Sequence, residues 1–123
     1  MSPTADPELH WWVVCLCAEW CGVCREWRDA FTQAAAEHPE LRFAWVDVED
    51  EAEAMGDVDI ETFPTVLIAH AGRPLFFGPV LPSGNQFTRL IASLRQDPTG
   101  AGAVSAEAAP LLARLAATVL PKP

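Results

Sequence analysis

From His10 to Cys17 the chain reads His-Trp-Trp-Val-Val-Cys-Leu-Cys, a continuous run of apolar and β-favouring side chains of the kind found in a strand covered on both faces. The period then changes. Trp27, Phe31, Ala34 and Ala35 recur at helical spacing, while Arg25, Glu26, Arg28, Asp29, Gln33 and Glu37 fill the other faces. A strand therefore runs into a helix, and Cys21 and Cys24 stand where that helix opens. Residues 41–48 read as a second strand, residues 50–56 as a short acidic helix and residues 65–70 as a third strand. Ala71-Gly72-Arg73-Pro74 has turn chemistry, and residues 75–78 form a fourth strand, so the last two make a hairpin. Ser83 is placed to cap a helix in which Phe87, Leu90, Ile91 and Leu94 follow i, i+3, i+4, i+7. The predicted order is β-α-β-α-β-β-α.

After Gln96 the pattern gives way to Asp97-Pro98-Thr99-Gly100-Ala101-Gly102, a connection, and then to an Ala-rich helical segment with Leu111, Leu112, Leu115 and Val119 on one side. Pro110 fits the first turn of that helix, and Pro121-Lys122-Pro123 stops it. The divisions expected are an N-terminal extension (1–9), a domain (10–97), a Gly/Ala-rich linker (98–107) and a C-terminal helical segment (108–123). The leucine stripe either packs on the domain or forms an exposed surface for a partner.

The chain has 123 residues, half of them hydrophobic and five of them Trp, enough for one domain with its own core. No segment approaches the roughly 20 consecutive apolar residues of a membrane span. The first eight residues carry two acids, no Lys or Arg and no apolar stretch, so they do not read as a signal peptide. The expected compartment is the cytoplasm. There thiols are kept reduced, and a C-x-x-C is catalytic or metal-binding more often than structural. A net charge of −9 argues against nucleic acid and anionic membrane surfaces as partners. The acidic stretch from Asp47 to Glu61 lacks the D-x-D-x-D-G pattern of a calcium loop and reads as a solvated face.

That leaves the thiols as the candidate chemistry. A cysteine at a helix N-terminus lies near unpaired N–H groups and the positive end of the helix dipole, both of which favour the thiolate. Such sites have pKa values of about 3.5 to 7.5, against about 8.5 for a free cysteine. Cys21 is thus the candidate nucleophile. Cys24, one turn further on, is the candidate resolving thiol for a mixed disulfide formed on Cys21. A zinc site of Cys15, Cys17, Cys21 and Cys24 is disfavoured because Cys15 and Cys17 lie in an apolar strand rather than on a knuckle. Arg25 stands where a c-type haem motif needs His, and His10, His38 and His70 have no local relation to a nucleophile. The Gly100–Ser105 region lacks the third glycine and preceding strand of a dinucleotide loop. Cys15 and Cys17 are expected to pack as small buried hydrophobes.

Trp20-Cys21-Gly22-Val23-Cys24-Arg25 resembles the thioredoxin signature W-C-G-P-C-K, and Phe63-Pro64-Thr65 is similar to the segment where thioredoxins carry a cis-proline beside the redox pair. The resemblance covers roughly residues 10–97. It implies an α/β thioredoxin-like fold: a central mixed sheet flanked by helices, here with a truncated N-terminal element and an extra C-terminal helix. It implies a thiol–disulfide oxidoreductase with Cys21 and Cys24 as catalytic thiols and a substrate groove of Trp20, Gly22, Val23, Phe63, Pro64 and Thr65. No cofactor and no metal are expected. Partners would be disulfide-containing protein substrates and a thiol reductase or other electron donor, with the protein a monomer. The alternative is a thioredoxin-fold binding or redox-sensing module that recruits a partner through its C-terminal helix.

The departures from the family pattern lie around the thiols. Cys15 aligns with a buried Asp that assists proton transfer, Trp45 with the Lys near it, and Val23 with the signature Pro, so Cys15, Cys17 and Trp45 are candidate modulators. The family places the helices beginning near Cys24 and Ser83 on one face of the sheet. The C-terminal stripe is therefore expected on the opposite face, because an apolar first strand leaves neither face fit for water.

Overall fold

The computed structural model describes residues 11–18, 22–58, 60–81, 83–97, 104–118 and 120. The N-terminal extension, Trp20, Cys21, residues 98–103 of the linker and Val119 of the leucine stripe lie outside them. The elements are β1 (Trp11–Cys17), α1 (Gly22–Glu37), β2 (Arg42–Asp47), α2 (Ala52–Met55), β3 (Thr65–His70), β4 (Arg73–Pro79), α3 (Gly84–Gln96) and α4 (Ala108–Thr118). This is the order read from the pattern, followed by α4 in the C-terminal segment where a helix is expected. The fourth strand begins two residues earlier than its apolar run, because Arg73 and Pro74 already pair with His70 and Ala69 across the hairpin.

The four strands form one mixed sheet in the order β2-β1-β3-β4. β1 runs parallel to β2 and antiparallel to β3, and β3 is antiparallel to β4. Successive side chains of a strand point to opposite faces, and this period sorts the core into two layers. Val13, Cys15, Cys17, Val66 and Ile68 face α1 and α3, where Trp27, Phe31, Phe87, Ile91 and Leu94 meet them. Val14, Leu16, Val46, Leu67 and Ala69 face α2 and α4, where Met55, Ala108, Leu111, Leu112, Leu115 and Leu120 meet them. β1 is central and covered on both sides, which is why its sequence shows no alternation.

The α1/α3 layer is held by aromatic packing. Trp27 meets Phe87 edge to face with ring centroids 5.0 Å apart, and Phe31 makes the same kind of contact with Phe43 and Trp45. Ser83 caps α3, its hydroxyl accepting from the Gln86 N–H. At the other end of these helices Arg95 pairs with Glu40, which lies beyond the end of α1.

α4 lies across the face opposite α1, where its stripe is expected. Leu111 and Leu115 are fully buried there, and each buried leucine contributes about 1.5–3 kcal/mol. The missing N–H of Pro110 causes no loss, because the first turn of a helix has no intrahelical acceptors for its donors. Arg114 ties α4 to α2. Its Nε donates to the Ala54 carbonyl at 2.7 Å and its Nη2 to the Met55 carbonyl at 3.0 Å, the latter also accepting from the Val58 N–H at 3.1 Å. Gly56 follows with φ +60°, and a Cβ there would come within 3.1 Å of the Arg114 guanidinium, so both backbone conformation and space require glycine.

Candidate active site

Cys17 is the last residue of β1 and Cys24 lies in the first turn of α1. Strand alternation sends Cys15 and Cys17 to the same face of the sheet. α1 covers that face with Cys24, Trp27, Phe31 and Ala34, whose spacing keeps them on one side of the helix. Cys24 is thereby set over the end of β1. Its sulfur is bonded to that of Cys17, with the two Cα atoms 6.0 Å apart, within the usual span of a disulfide.

The expectation that Cys17 packs as a small hydrophobe is corrected. It is buried, but as one half of a disulfide. The sequence reading brought Cys24 together with Cys21; the structure bonds it to Cys17, and Cys21 lies outside the described residues. The signal available in the sequence was the pair of cysteines two apart in β1, which alternation must place on one face. What the spacing does not give is which face α1 covers.

Cys15 is a free, buried thiol. Its Sγ lies 3.7 Å from that of Cys17, and as the reduced partner it is the donor in that contact. Burial pushes the Cys15 thiol up to about 12 from an ordinary 9.0, the Trp27 indole offsetting part of the effect. That indole N–H is buried and makes no hydrogen bond of normal geometry among the described residues, yet lies near enough to the sulfur to favour its thiolate. The β1–β2 register sets Cys15 directly across from Trp45. Where the family pattern has an Asp and a Lys, the protein thus has a high-pKa thiol and an indole. Cys15 is poorly suited to accept a proton near neutral pH.

Beyond the disulfide, a cleft of about 320 Å³ opens at the carboxyl ends of β1 and β2, with Cys24 in its lining. Arg25 and Arg28 border it from α1, and Asp47, Asp50 and Glu51 from the end of β2 and the turn after it. Arg28 lies over the Trp45 ring, 5.1 Å from its centroid. The Asp47 carboxylate accepts from the Glu49 and Asp50 N–H groups at 2.9 and 3.1 Å, which holds the turn. These charged side chains were not singled out from the sequence, because they come together only when α1 is folded back beside β2.

Of the expected groove residues, Gly22 and Val23 are exposed in the first turn of α1, Val23 by 40%. Pro64 and Thr65 are buried and Phe63 is partly buried against the layer that contains Cys17 and Cys24. The Phe63–Pro64 peptide bond is cis. The Pro64 carbonyl accepts from the Val80 N–H at 3.0 Å, and the Thr65 hydroxyl donates to the Thr62 carbonyl at 2.6 Å. Leu16 pairs with Thr65 in the β1–β3 register, so continuing that antiparallel register sets Pro64 beside Cys17. Among the described residues no group of three or more His, Cys, Asp or Glu side chains is arranged to hold a metal ion. No described helix is long and apolar enough to cross a membrane.

A mixed four-stranded sheet between helices, with a cysteine opening the first helix after the central strand, defines a thioredoxin-like fold. Residues 6–81, more than half of the sequence, match the thioredoxin family model, and the chain belongs to the thioredoxin family. A thioredoxin of Mycoplasma pneumoniae is 32% identical over 56 residues, which are 46% of this chain and 55% of that protein. A protein of Streptomyces coelicolor bearing a thioredoxin name is 34% identical over 62 residues, 50% of this chain and 46% of its own length. The chain spans about half the length of these curated relatives. Among solved structures, thioredoxin from Fasciola hepatica superposes with a TM-score of 0.63 at 27% identity, covering 69% of this chain and 81% of that one. A poplar thioredoxin h reaches a TM-score of 0.66 at 18% identity, over 76% of this chain and 83% of that one, a likeness of fold.

Proposed function

We propose that the protein is a thiol–disulfide oxidoreductase that exchanges disulfides with protein substrates through Cys21 and Cys24. Cys24 carries this reading: it opens α1 on the face that bears the thiols, lines the cleft at the strand ends, and has its sulfur engaged in a disulfide. Cys21, adjacent to the first residue of α1, attacks the substrate disulfide as a thiolate, and Cys24 resolves the mixed disulfide. Trp20, Gly22, Val23, Phe63, Pro64 and Thr65 border the substrate. A thiol reductase or other donor supplies electrons, and the protein works as a monomer in the cytoplasm without a cofactor. Recruitment of a partner through the C-terminal stripe loses its basis, since Leu111, Leu112 and Leu115 are buried against the sheet.

The test is dithiol-dependent insulin reduction with a glutathione redox titration. Cys21→Ser is expected to abolish reduction, while Cys24→Ser is expected to accumulate a mixed disulfide with substrate. Equal trapping by both variants would overturn the assignment of roles.

A further inference from the structure

We propose that Cys17 is a third redox-active thiol, which takes Cys24 from Cys21 and stores the oxidised state as a buried disulfide. The proposal rests on the reading of Cys21 as nucleophile. Two observations carry it: Cys24 is bonded to Cys17, and both are buried in one layer of the core. Cys24 is therefore a junction. It lies three residues from Cys21 along the chain and within bonding reach of Cys17 across the strand-to-helix connection.

The step is an internal exchange. After turnover the protein holds a Cys21–Cys24 disulfide. The Cys17 sulfur attacks the Cys24 sulfur, so that the Cys17–Cys24 bond forms and the Cys21–Cys24 bond breaks. The Cys21 sulfur leaves as a thiolate, and the proton lost by Cys17 passes to solvent or to Cys21. No electrons are gained or lost, and no further reactant is needed. The two oxidised isomers differ in what they present to a partner. One holds its disulfide between Cys21 and Cys24; the other offers a free Cys21 thiol and holds its disulfide between two buried cysteines. The second isomer resists reduction by a protein-sized donor, because neither of its sulfurs is exposed. Its nucleophile remains able to attack a substrate but has no resolving partner. Cys17 thereby diverts a reductase into a holding state.

The full-length protein can be oxidised with one equivalent of oxidised glutathione, quenched in acid, alkylated and cleaved after Glu19. That cleavage separates Cys15 and Cys17 from Cys21 and Cys24. The expected product is a pair of peptides bridged from Cys17 to Cys24, with Cys21 alkylated. A disulfide confined to the Cys21–Cys24 peptide, or a bridge that fragmentation assigns to Cys15, overturns the proposal. Cys21→Ser tests the route: direct oxidation of the buried pair is expected to be slower by about tenfold or more, and an unchanged rate overturns the exchange step. Cys17→Ala is expected to keep Cys21 unreactive to alkylation in the oxidised protein, whereas the wild type regains that reactivity. The two readings fail separately. Full insulin reduction by Cys21→Ser removes the dithiol mechanism, while loss of reduction in that variant together with a Cys21–Cys24 linkage in the oxidised wild type removes the role of Cys17 alone.

Discussion

The two faces of the sheet are built from different materials. One layer holds Cys15, Cys17 and Cys24 among Trp27, Phe31, Phe43, Trp45 and Phe87; the buried side chains of the other are aliphatic, dominated by the leucines of α4, with Trp12 and Phe77 packed partly buried against them. On the thiol face the packing also acts on sulfur: it desolvates Cys15, places an indole N–H near it and holds Cys24 over Cys17. On the leucine face the side chains serve packing, with polar contact limited in the main to the Arg114 clamp at the edge. The contrast separates labour between the two faces of one sheet, with β1 between β2 and β3. Changes to the α4 face should move stability and leave exchange chemistry in place, while changes to the cysteines of the α1 face should alter chemistry at smaller cost to the fold.

The largest test of that separation removes the residues after Gly100. The truncated chain loses Leu111, Leu112, Leu115 and Leu120 and uncovers Val14, Leu16, Val46 and Leu67. At about 2–5 kcal/mol per buried leucine, the loss rivals the roughly 5–15 kcal/mol of a whole domain. Calorimetry is expected to show no cooperative transition; a melting temperature within a few degrees of the full chain would show that the sheet does not need α4.

Leu115→Ala is a milder version. It should cost about 2–5 kcal/mol in denaturant unfolding, while the rate of insulin reduction per folded molecule stays unchanged. A parallel fall in both would mean that the two faces are coupled through β1. Smaller still, Arg114→Met removes both hydrogen bonds to the α2 carbonyls and is expected to cost about 1–3 kcal/mol. Faster amide exchange should be confined to α2 and the neighbouring end of α4, which hydrogen-exchange mass spectrometry reads directly.

On the thiol face the smallest effect is one of pH. Folded Cys15 keeps its proton up to about 12, whereas the unfolded chain releases it near the ordinary 9.0. The folded state binds more protons between these values, so the stabilisation present below pH 9 is lost as pH rises toward 12, by at most about 1.4 kcal/mol per unit. At pH 10 the deficit is on the order of 1 kcal/mol. In a Cys21→Ser background, which suppresses thiol exchange, Cys15→Val should lack this alkaline slope. Identical slopes with and without Cys15 would show that its thiol does not sense its burial.

Much of this architecture was legible in the chain because periodicity is local. The uninterrupted apolar run of β1, the helical spacing of Trp27, Phe31 and Ala34, and the turn at Ala71-Gly72 each lie within a few residues, and each appears where expected. The stripe of α4 was legible too, and with it the face it covers, because an apolar strand such as β1 must be covered on both sides. The doublet Cys15 and Cys17 was visible as well, and alternation alone put both thiols on one face.

What the sequence by itself determined, then, is the order of elements and the family, together with the presence of a cysteine at the opening of α1. Only the tertiary structure decided that Cys24 bonds to Cys17, that Arg114 reaches the carbonyls of Ala54 and Met55 some sixty residues earlier, and that two arginines and three acids converge on one cleft. Each of those outcomes depends on where one element is laid against another. Strand and helix periods fix the direction in which a side chain points relative to its own backbone, but the partner it meets is set by layer packing and register, which are properties of the assembled sheet.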